Sequence, residues 1–249
     1  MDKQKLKTYH LMLLDSSSSM NTVKKSTISG LNEQLQSIKK AEKDFDDQEQ
    51  IVCFITFGSE VEHSSLWNKK IDSIEDFNDE NYTPNGLTAL LDATGIGINK
   101  LRNEIKSDLQ QRKANVVVTI FTDGEENNSK EYNSTEVSNL IKEVKETGQW
   151  TVTFVGCSDN AFEVAQSLGI GRGDTLHYAS GDDGTQSAFK TMAKSRYCRS
   201  AAYSNCVSKG LDTSSANLGN NFFNNIDLDG TTKKDEYKKD TDKKEKDKS

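Results

Sequence analysis

The sequence predicts an α/β domain with a doubly wound, mainly parallel sheet and helices on both of its faces. Three observations support this prediction. Short apolar runs rich in β-branched and aromatic residues recur along the chain, and amphipathic helical patterns separate them. The runs are apolar almost without interruption, which is typical of strands covered on both faces. Strands that alternate with helices favour parallel pairing, because parallel neighbours need a crossover connection.

Four strong apolar runs and a weaker fifth are predicted strands. They are too short for buried helices, which usually need ten or more residues. Residues 58–66 follow the second run after a glycine turn, and they predict a short antiparallel strand at one edge of the sheet. The five predicted parallel strands are 8–14, 51–57, 116–121, 150–155 and 175–179.

Helical periodicity fills the segments between these runs, where apolar residues recur about every 3.6 positions. Asn133 followed by Glu136 has the pattern of a capping box at the start of one helix. Gly169 is placed to end another helix. The predicted helices are 28–38, 91–105, 137–144, 160–168 and 186–199.

The periodic pattern fades towards the C-terminus, and this sets the predicted domain boundaries. Residues 1–205 form the predicted domain, 206–230 an irregular extension and 231–249 a disordered charged tail, because lysine, acids and threonine bury too little apolar area to fold alone. The chain has a net charge of −7, and its lysine-rich tail is net positive, so the domain is more acidic still. An acidic domain argues against nucleic-acid binding. No apolar run approaches the roughly 20 residues of a membrane span.

The N-terminal apolar stretch is too short for the core of a signal peptide, so we expect a cytoplasmic protein, with signal-independent export as the alternative. Cys53 and Cys157 lie in strand patterns and are expected in the core. Cys198 and Cys206 lack the spacing of a metal site. We expect reduced thiols there, with a disulfide between them as the alternative.

Oxygen-bearing side chains follow the predicted strand ends. Residues 15–19 (DSSSS) come directly after the first strand, Asp123 follows the third, and Thr88 opens the helix before that third strand. Each piece alone is also typical of an ordinary turn or helix cap. Ligands of open α/β sheets bind outside the carboxyl ends of the strands, so the three segments are expected to meet there. Hydroxyl and carboxylate oxygens suit Mg²⁺, with Mn²⁺ or Ca²⁺ as alternatives. The predicted ligands are Asp15, Ser17, Ser19, Thr88 and Asp123.

These residues resemble the metal-ion-dependent adhesion site of von Willebrand factor A domains, whose pattern is Asp-x-Ser-x-Ser, then a Thr and an Asp in later loops. The resemblance covers about residues 6–195, and it implies the Rossmann-like fold of that family. The segments TISGLNEQL, GLTALLDATG and FTDGEEN look like those of stand-alone bacterial members. Ser18 departs from the pattern, because glycine is usual there and serine restricts the backbone more.

The resemblance implies a protein-binding function and no enzymatic activity. In such domains the serine hydroxyls, and sometimes the threonine, contact the metal, while the aspartates act directly or through water. An open coordination position takes a carboxylate, Asp or Glu, from a partner protein. The segment after Asp123 is expected to rim this position. The predicted partner-binding rim comprises Ser18, Gly86, Glu125, Glu126 and Asn127.

The alternative function is a metal-dependent hydrolase or phosphatase that uses the same strand-end site. Asp15 follows a strand, as a phosphatase nucleophile would, but Ser17 occupies the position of the second aspartate in a DxD motif. The sequence contains no GxSxG turn of a serine hydrolase. We therefore favour the binding function.

The C-terminal extension contains the spacing of an EF-hand calcium loop. Lys233 and Lys234 lie inside this loop, and a lysine run without an apolar face follows it. We therefore favour a chance match in a tail rich in Asn and Asp over a calcium site. The residues at the ligand positions are Asn225, Asp227, Asp229, Gly230 and Glu236.

Overall fold

In a computed structural model that describes residues 5–63, 66–210 and 220–223, seven strands form one sheet. The strand order is β3-β2-β1-β5-β6-β7, with β4 also paired to β2. The parallel strands are β1 (Leu6–Asp15), β2 (Gln48–Phe57), β5 (Ala114–Thr122), β6 (Trp150–Gly156) and β7 (Thr175–His177). Two short strands, β3 (Val61–His63) and β4 (Lys69–Lys70), run antiparallel to β2.

The predicted fold class is confirmed, and the structure refines its edge. Of the antiparallel strand predicted over residues 58–66, the described residues Val61–His63 form β3. The additional strand β4 has two lysines, which are exposed and carry no apolar pattern that could have predicted it. None of the described helices combines the length and the apolar content that a bilayer crossing requires.

Helices cover both faces, and side chains along each strand alternate between two cores. Leu11 and Leu13 of β1 face one of these cores, which is shared with the helices over residues 90–104, 134–146 and 161–167. Met12 and Leu14 face the other core, which is shared with the helices over residues 24–44 and 182–208. The predicted capping box of Asn133 and Glu136 is present at the start of α4. The helices are α1 (Lys24–Asp44), α2 (Leu90–Glu104), α3 (Lys106–Gln110), α4 (Ser134–Glu146), α5 (Ala161–Ser167) and α6 (Asp182–Ser208).

The last helix, α6, is longer than the predicted 186–199. Its buried face includes polar residues such as Thr185, Arg196 and Arg199, and these interrupt the apolar period by which the sequence could have shown its length. Cys198 and Cys206 both lie on α6, about 12 Å apart along the axis, which is too far for a disulfide. All four cysteines of the chain lie among the described residues, and no disulfide joins them.

Part of the predicted irregular extension packs on the domain. Phe222 is buried, and its backbone N–H donates to Asp174 Oδ1 at 2.9 Å. Phe223 N donates to Gly173 O at 3.0 Å. The predicted charged tail and the EF-hand-like spacing lie outside the described residues, so both stay predictions.

Phe222→Ala is expected to lower the free energy of unfolding by about 3 kcal/mol, because it empties a buried aromatic site. Phe223→Ala is the matched control, since that ring is only partly buried, and it should cost clearly less. Urea denaturation of both variants measures the difference. Equal stability of Phe222→Ala and the wild type would mean that this segment does not pack on the domain in solution.

Candidate metal centre

Asp15 ends β1 with a side chain that is fully buried. Its two carboxylate oxygens are held from different elements: Oδ1 accepts from Ser17 N at 2.7 Å, and Oδ2 accepts from Thr122 Oγ1 at 2.5 Å. Tyr82 Oη donates to the backbone carbonyl of Asp15 at 2.7 Å. The carboxylate is therefore fixed by its own loop and by the end of the neighbouring strand β5.

The other predicted ligands lie around this carboxylate. Ser17 Oγ and Ser19 Oγ are 3.0 Å apart, and Ser19 Oγ donates to Asp123 Oδ1 at 2.8 Å. A Cβ atom built on Gly124 would lie 3.7 Å from Thr88 Oγ1 and 4.0 Å from Ser19 Oγ, which places Thr88 on the same cluster. The structure thus brings all five side chains together at the carboxyl edge of the sheet.

A pair of hydrogen bonds between Ser18 and Gly86 joins the loop after β1 to the loop before α2. Ser18 N donates to Gly86 O at 3.0 Å, and Gly86 N donates to Ser18 Oγ at 2.9 Å. Gly86 has a φ of +85°, which favours glycine, whereas Ser18 is not among the described residues with positive φ. The serine that departs from the family pattern is therefore unstrained, and its hydroxyl helps to hold the loop.

Two of the predicted rim residues are exposed as expected, but Glu126 has a different role. Ser18 and Glu125 are exposed, and Glu125 accepts from Asn160 Nδ2 at 2.7 Å. The prediction for Glu126 is corrected, because its carboxylate accepts from Leu91 N and from the backbone N–H groups of residues 128 and 129. Glu126 therefore caps the start of α2 and folds its own loop instead of presenting an acid to a partner.

Asn127, another predicted rim residue, is exposed but also supports the site. Its Oδ1 accepts from Thr88 N at 2.8 Å, and its backbone N–H donates to Thr88 O at 3.1 Å. Sequence reasoning did not find this role, because a hydrogen bond between side chain and distant backbone leaves no local pattern.

Asp92 on α2 is a second support that the sequence did not show. Its Oδ2 accepts from Lys130 N at 2.8 Å, and its Oδ1 accepts from Glu131 N and Tyr132 N at 2.9 and 2.8 Å. These bonds fasten the far end of the loop that begins at Asp123. Thr88, on the turn before α2, is therefore tied to the loop that carries Asp123.

The cluster contains two nearby carboxylates, those of Asp15 and Asp123, and no basic side chain pairs with either of them among the described residues. Burial raises the pKa of Asp15 to about 6 against opposing hydrogen bonds from Thr122 and Ser17, and the nearby Asp123 raises it further. Burial also raises the pKa of Asp123. Within the described part of the chain, neither carboxylate forms an ion pair with Lys, Arg or His. Buried charges of this kind are costly unless an opposite charge compensates them.

The donor set fits a hard divalent cation. Two carboxylates and three hydroxyls offer only oxygen, which Mg²⁺, Mn²⁺ and Ca²⁺ accept. No group of three or more His, Cys, Asp or Glu side chains suited to a metal occurs among the described residues. A cation here would therefore depend on the hydroxyls as well as on the two aspartates.

A doubly wound sheet with oxygen ligands at its carboxyl edge defines a class of α/β domains that bind ligands between strand-end loops. Within that class, the family model of the von Willebrand factor type A domain matches residues 11–194, and the chain belongs to this family. No curated protein matches the chain.

A solved structure, the first of the three described next, shows the same fold at low sequence identity. The pilus adhesin SpaC from Lactobacillus rhamnosus GG, in an open conformation, matches with a TM-score of 0.53 and 14% identity. The match covers 80% of this chain but only 30% of the SpaC chain. The von Willebrand factor domain of the type V pili tip protein Mfa5 from Porphyromonas gingivalis has a TM-score of 0.48 and 11% identity over 84% of this chain and 97% of that one. Manganese-loaded TRAP protein from Plasmodium vivax has a TM-score of 0.46 and 15% identity, and the match covers 74% of this chain and 72% of the TRAP chain.

Asp15→Asn is expected to stabilise the metal-free protein at pH 7 by about 1–3 kcal/mol, since it removes a buried charge. A carboxyl group whose pKa is higher in the folded state than in the unfolded state stabilises the fold at pH values below its pKa in the unfolded state. This contribution is lost as the pH rises through the pKa of the folded state, which is about 6 for Asp15. The advantage of the variant should therefore grow from pH 4.5 to pH 7.5. Urea unfolding in EDTA at both pH values measures it.

An asparagine fits the same bonds, because Thr122 Oγ1 can turn its proton to Gly124 O, 3.1 Å away, and accept from the amide. Asp159→Asn, at an exposed position, is the control and should show no gain that depends on pH in this way. If Asp15→Asn were less stable than wild type by the same amount at both pH values, burial would not govern the Asp15 pKa.

Proposed function

We propose that this chain is a protein-binding module that depends on a divalent metal, Mg²⁺ first, and that a partner carboxylate completes the coordination. The observation that carries the proposal is the convergence of Asp15, Asp123 and three hydroxyls at one sheet edge without a compensating cation. Ser17, Ser19 and Thr88 would contact the metal through neutral hydroxyls, and the aspartates would act directly or through water. Such a cation, when bound, supplies a positive centre that favours an acidic ligand.

An apolar side chain beside the cluster supports a protein partner. Leu87 is 49% exposed, and it is the one exposed large hydrophobic residue in the described part of the chain. It lies between Gly86 and Thr88, directly on the loop that supplies a proposed ligand. Exposed apolar groups next to a polar site are typical of surfaces that bind other proteins.

A cavity of about 240 Å³ opens beside the same loops and supports the expected chemistry of the partner. It is lined by Ser16 and Gly86 on the side of the metal centre and by Glu60 and Glu62 on the other side. A side chain next to the partner's carboxylate would enter this cavity. Its two acids favour a neutral or basic side chain there.

The geometry of Asp15 supports a non-enzymatic role. Both of its carboxylate oxygens accept hydrogen bonds, and the side chain is fully buried, so it is not exposed for attack on a substrate. His10, one of three histidines in the chain, lies in a buried network near the opposite edge of the sheet. Neither residue is therefore arranged for hydrolysis at this edge.

A cytoplasmic location is part of the proposal. It is supported by the absence of disulfides among the four cysteines, since oxidising compartments promote their formation. Cell fractionation with an antibody against the chain tests it, and recovery of the protein outside the cytoplasm would contradict it.

Metal binding is expected to raise the melting temperature. At a hundredfold excess over the dissociation constant, linkage adds about 2.7 kcal/mol, or roughly 5–10 °C for a domain of this size. Asp123→Ala should remove most of the shift, whereas Glu125→Gln, at the exposed rim, should keep it. Thermal melts with Mg²⁺, Mn²⁺, Ca²⁺ and EDTA measure the effect. A wild type that responds to none of the three ions would contradict the proposed site.

Partner binding is expected to need both the metal and its surroundings. In affinity capture with Mg²⁺, Thr88→Ala and Leu87→Ser should each retain much less partner than wild type, and EDTA should release it. Leu87→Ser should keep the full melting shift with Mg²⁺, because Leu87 contributes no metal ligand and little packing.

Two other outcomes would each contradict the proposed function in a different way. A metal with a purely structural role predicts that Thr88→Ala loses stability but retains its partners. Hydrolysis of a generic phosphomonoester by wild type, absent in Asp15→Ala, would instead favour the phosphatase alternative.

A further inference from the structure

The cavity beside the metal centre is large enough for a long side chain and is lined mainly by polar groups. Its volume is about 240 Å³, whereas an apolar cavity of about 150 Å³ already accommodates benzene. Hydroxyl, amide and carboxylate groups line it, and none of the described residues in its lining is Lys, Arg or His. The lining includes Ser16, Thr56, Glu60, Glu62, Asn81 and Asn85.

Two carboxylates form one wall of this cavity. Glu60 and Glu62 are two positions apart at the start of β3, and alternate side chains of a strand point to the same side of the sheet. Val61, between them, packs against the core on the other face. Thr56 of β2 pairs with Glu62 across the ladder and lines the cavity as well. The hairpin of β2 and β3 thus supplies both acids to the same wall.

Neither of these acids is compensated by a basic side chain within the described part of the chain. Glu60 and Glu62 are exposed, and neither forms an ion pair there. Glu80 is also exposed, and it directly precedes Asn81, which lines the cavity. A cleft lined by charges of one sign concentrates their electric field, so this cavity attracts positive charge.

The walls of the cavity are held together by hydrogen bonds between three segments. Ser16 N donates to Phe57 O at 2.7 Å, and Asn85 N donates to Ser16 O at 2.6 Å. Leu87 N donates to Ser59 Oγ at 3.0 Å. These bonds join the β2–β3 hairpin, the loop after β1 and the loop before α2, so the cavity keeps its shape without a ligand.

The cavity and the proposed metal centre share a wall. Ser16 lies between Asp15 and Ser17 in the sequence, and Gly86 lies two residues before Thr88. Consecutive Cα atoms are about 3.8 Å apart, so the cavity begins within one or two residues of the proposed ligands. An extended partner segment advances about 3.3 Å per residue, so neighbouring partner side chains would reach both places.

We infer that the cavity recognises a Lys or Arg side chain of the partner, placed within two residues of the acid that completes the metal site. The position of that acid rests on the proposed function, but recognition of the basic side chain itself needs no metal. The carboxylates of Glu60 and Glu62 would supply the opposite charge, and the hydroxyls and amides of the lining would accept hydrogen bonds. A neutral side chain of the same length would gain no such charge complementarity, and an acidic one would be repelled.

The first experiment tests the cavity alone, in EDTA. N-acetyl-arginine methylamide and its lysine analogue, which have no carboxylate, are titrated into the isotope-labelled protein, and backbone amide shifts are followed by NMR. Saturable shifts in the millimolar range are expected at Gly58, Ser59 and Gly86, which line the cavity. N-acetyl-norleucine methylamide, the neutral control, should not produce them. Absence of saturable shifts with both basic probes would overturn the inference.

The second experiment removes the charges. The double variant Glu60→Gln/Glu62→Gln should bind the arginine probe about tenfold more weakly, because two ion pairs of modest strength are lost. It should keep the wild-type melting temperature, since both side chains are exposed. The matched control, Glu131→Gln/Glu146→Gln, removes the same two charges from exposed positions outside the lining and should bind as wild type does. Equal weakening in both double variants would contradict the inference, because net charge alone would then explain it.

The third experiment joins the cavity to the metal centre. Two blocked peptides are compared with Mg²⁺ and with EDTA: one has Arg separated from Asp by a single Ala, and the other has norleucine in place of Arg. With Mg²⁺ the arginine peptide should bind wild type about tenfold more tightly than the norleucine peptide. Equal affinity of the two peptides, each strengthened by Mg²⁺, would overturn the inference and support the proposed function. Preference for arginine that Mg²⁺ does not strengthen would contradict the proposed function and support the cavity as a site for basic side chains.

Discussion

Two carboxylates of like charge end up side by side because β1 and β5 are parallel neighbours in register. Leu14 pairs with Phe121, so Asp15 and Asp123, which follow these residues, emerge at the same edge. The strand pairing places the two like charges close together. Hydroxyl and backbone N–H groups of the surrounding segments donate hydrogen bonds to both carboxylates. Thr122 and the loop that follows Asp15 hold that side chain in place although the charge is unfavourable in the metal-free protein. This pair of carboxylates is the feature on which the proposed cation site rests.

Charge is segregated along the strands. The carboxyl edge concentrates acids, whereas the buried amino half of one face holds two arginines and no ion-paired acid among the described residues. Between these zones the same face is apolar, with Met12, Leu14 and Phe121 packed against Phe189 of α6. Gly30 of α1 admits that ring, because a Cβ there would approach it to 2.2 Å. The two charged zones are therefore separated by a dry, closely packed layer.

The sequence was sufficient for the parallel strands, most helices and the five clustered side chains, since each leaves a local pattern: an apolar run, a periodic stripe or an oxygen-rich strand end. It did not reveal that Glu126 holds Leu91 N, or that Asp92 holds the loop after Asp123, because these partners are backbone groups distant in sequence. The full length of α6 was missed because polar residues on its buried face break the apolar period. Phe222 was missed because a lone aromatic residue in a polar stretch does not indicate its contact.

The loop fastenings described above have a kinetic consequence. Ser18 with Gly86, and Asp92 with the loop after Asp123, order the proposed ligands when the chain folds rather than when an ion arrives. Little conformational entropy would then remain to be lost on ion capture, so loop closure would not limit the rate of capture. What remains slow is the release of water by the ion itself, and Mg²⁺ gives up its water reluctantly. The residence and exchange of metal at this edge would thus be governed by the hydration of the ion more than by motion of the protein.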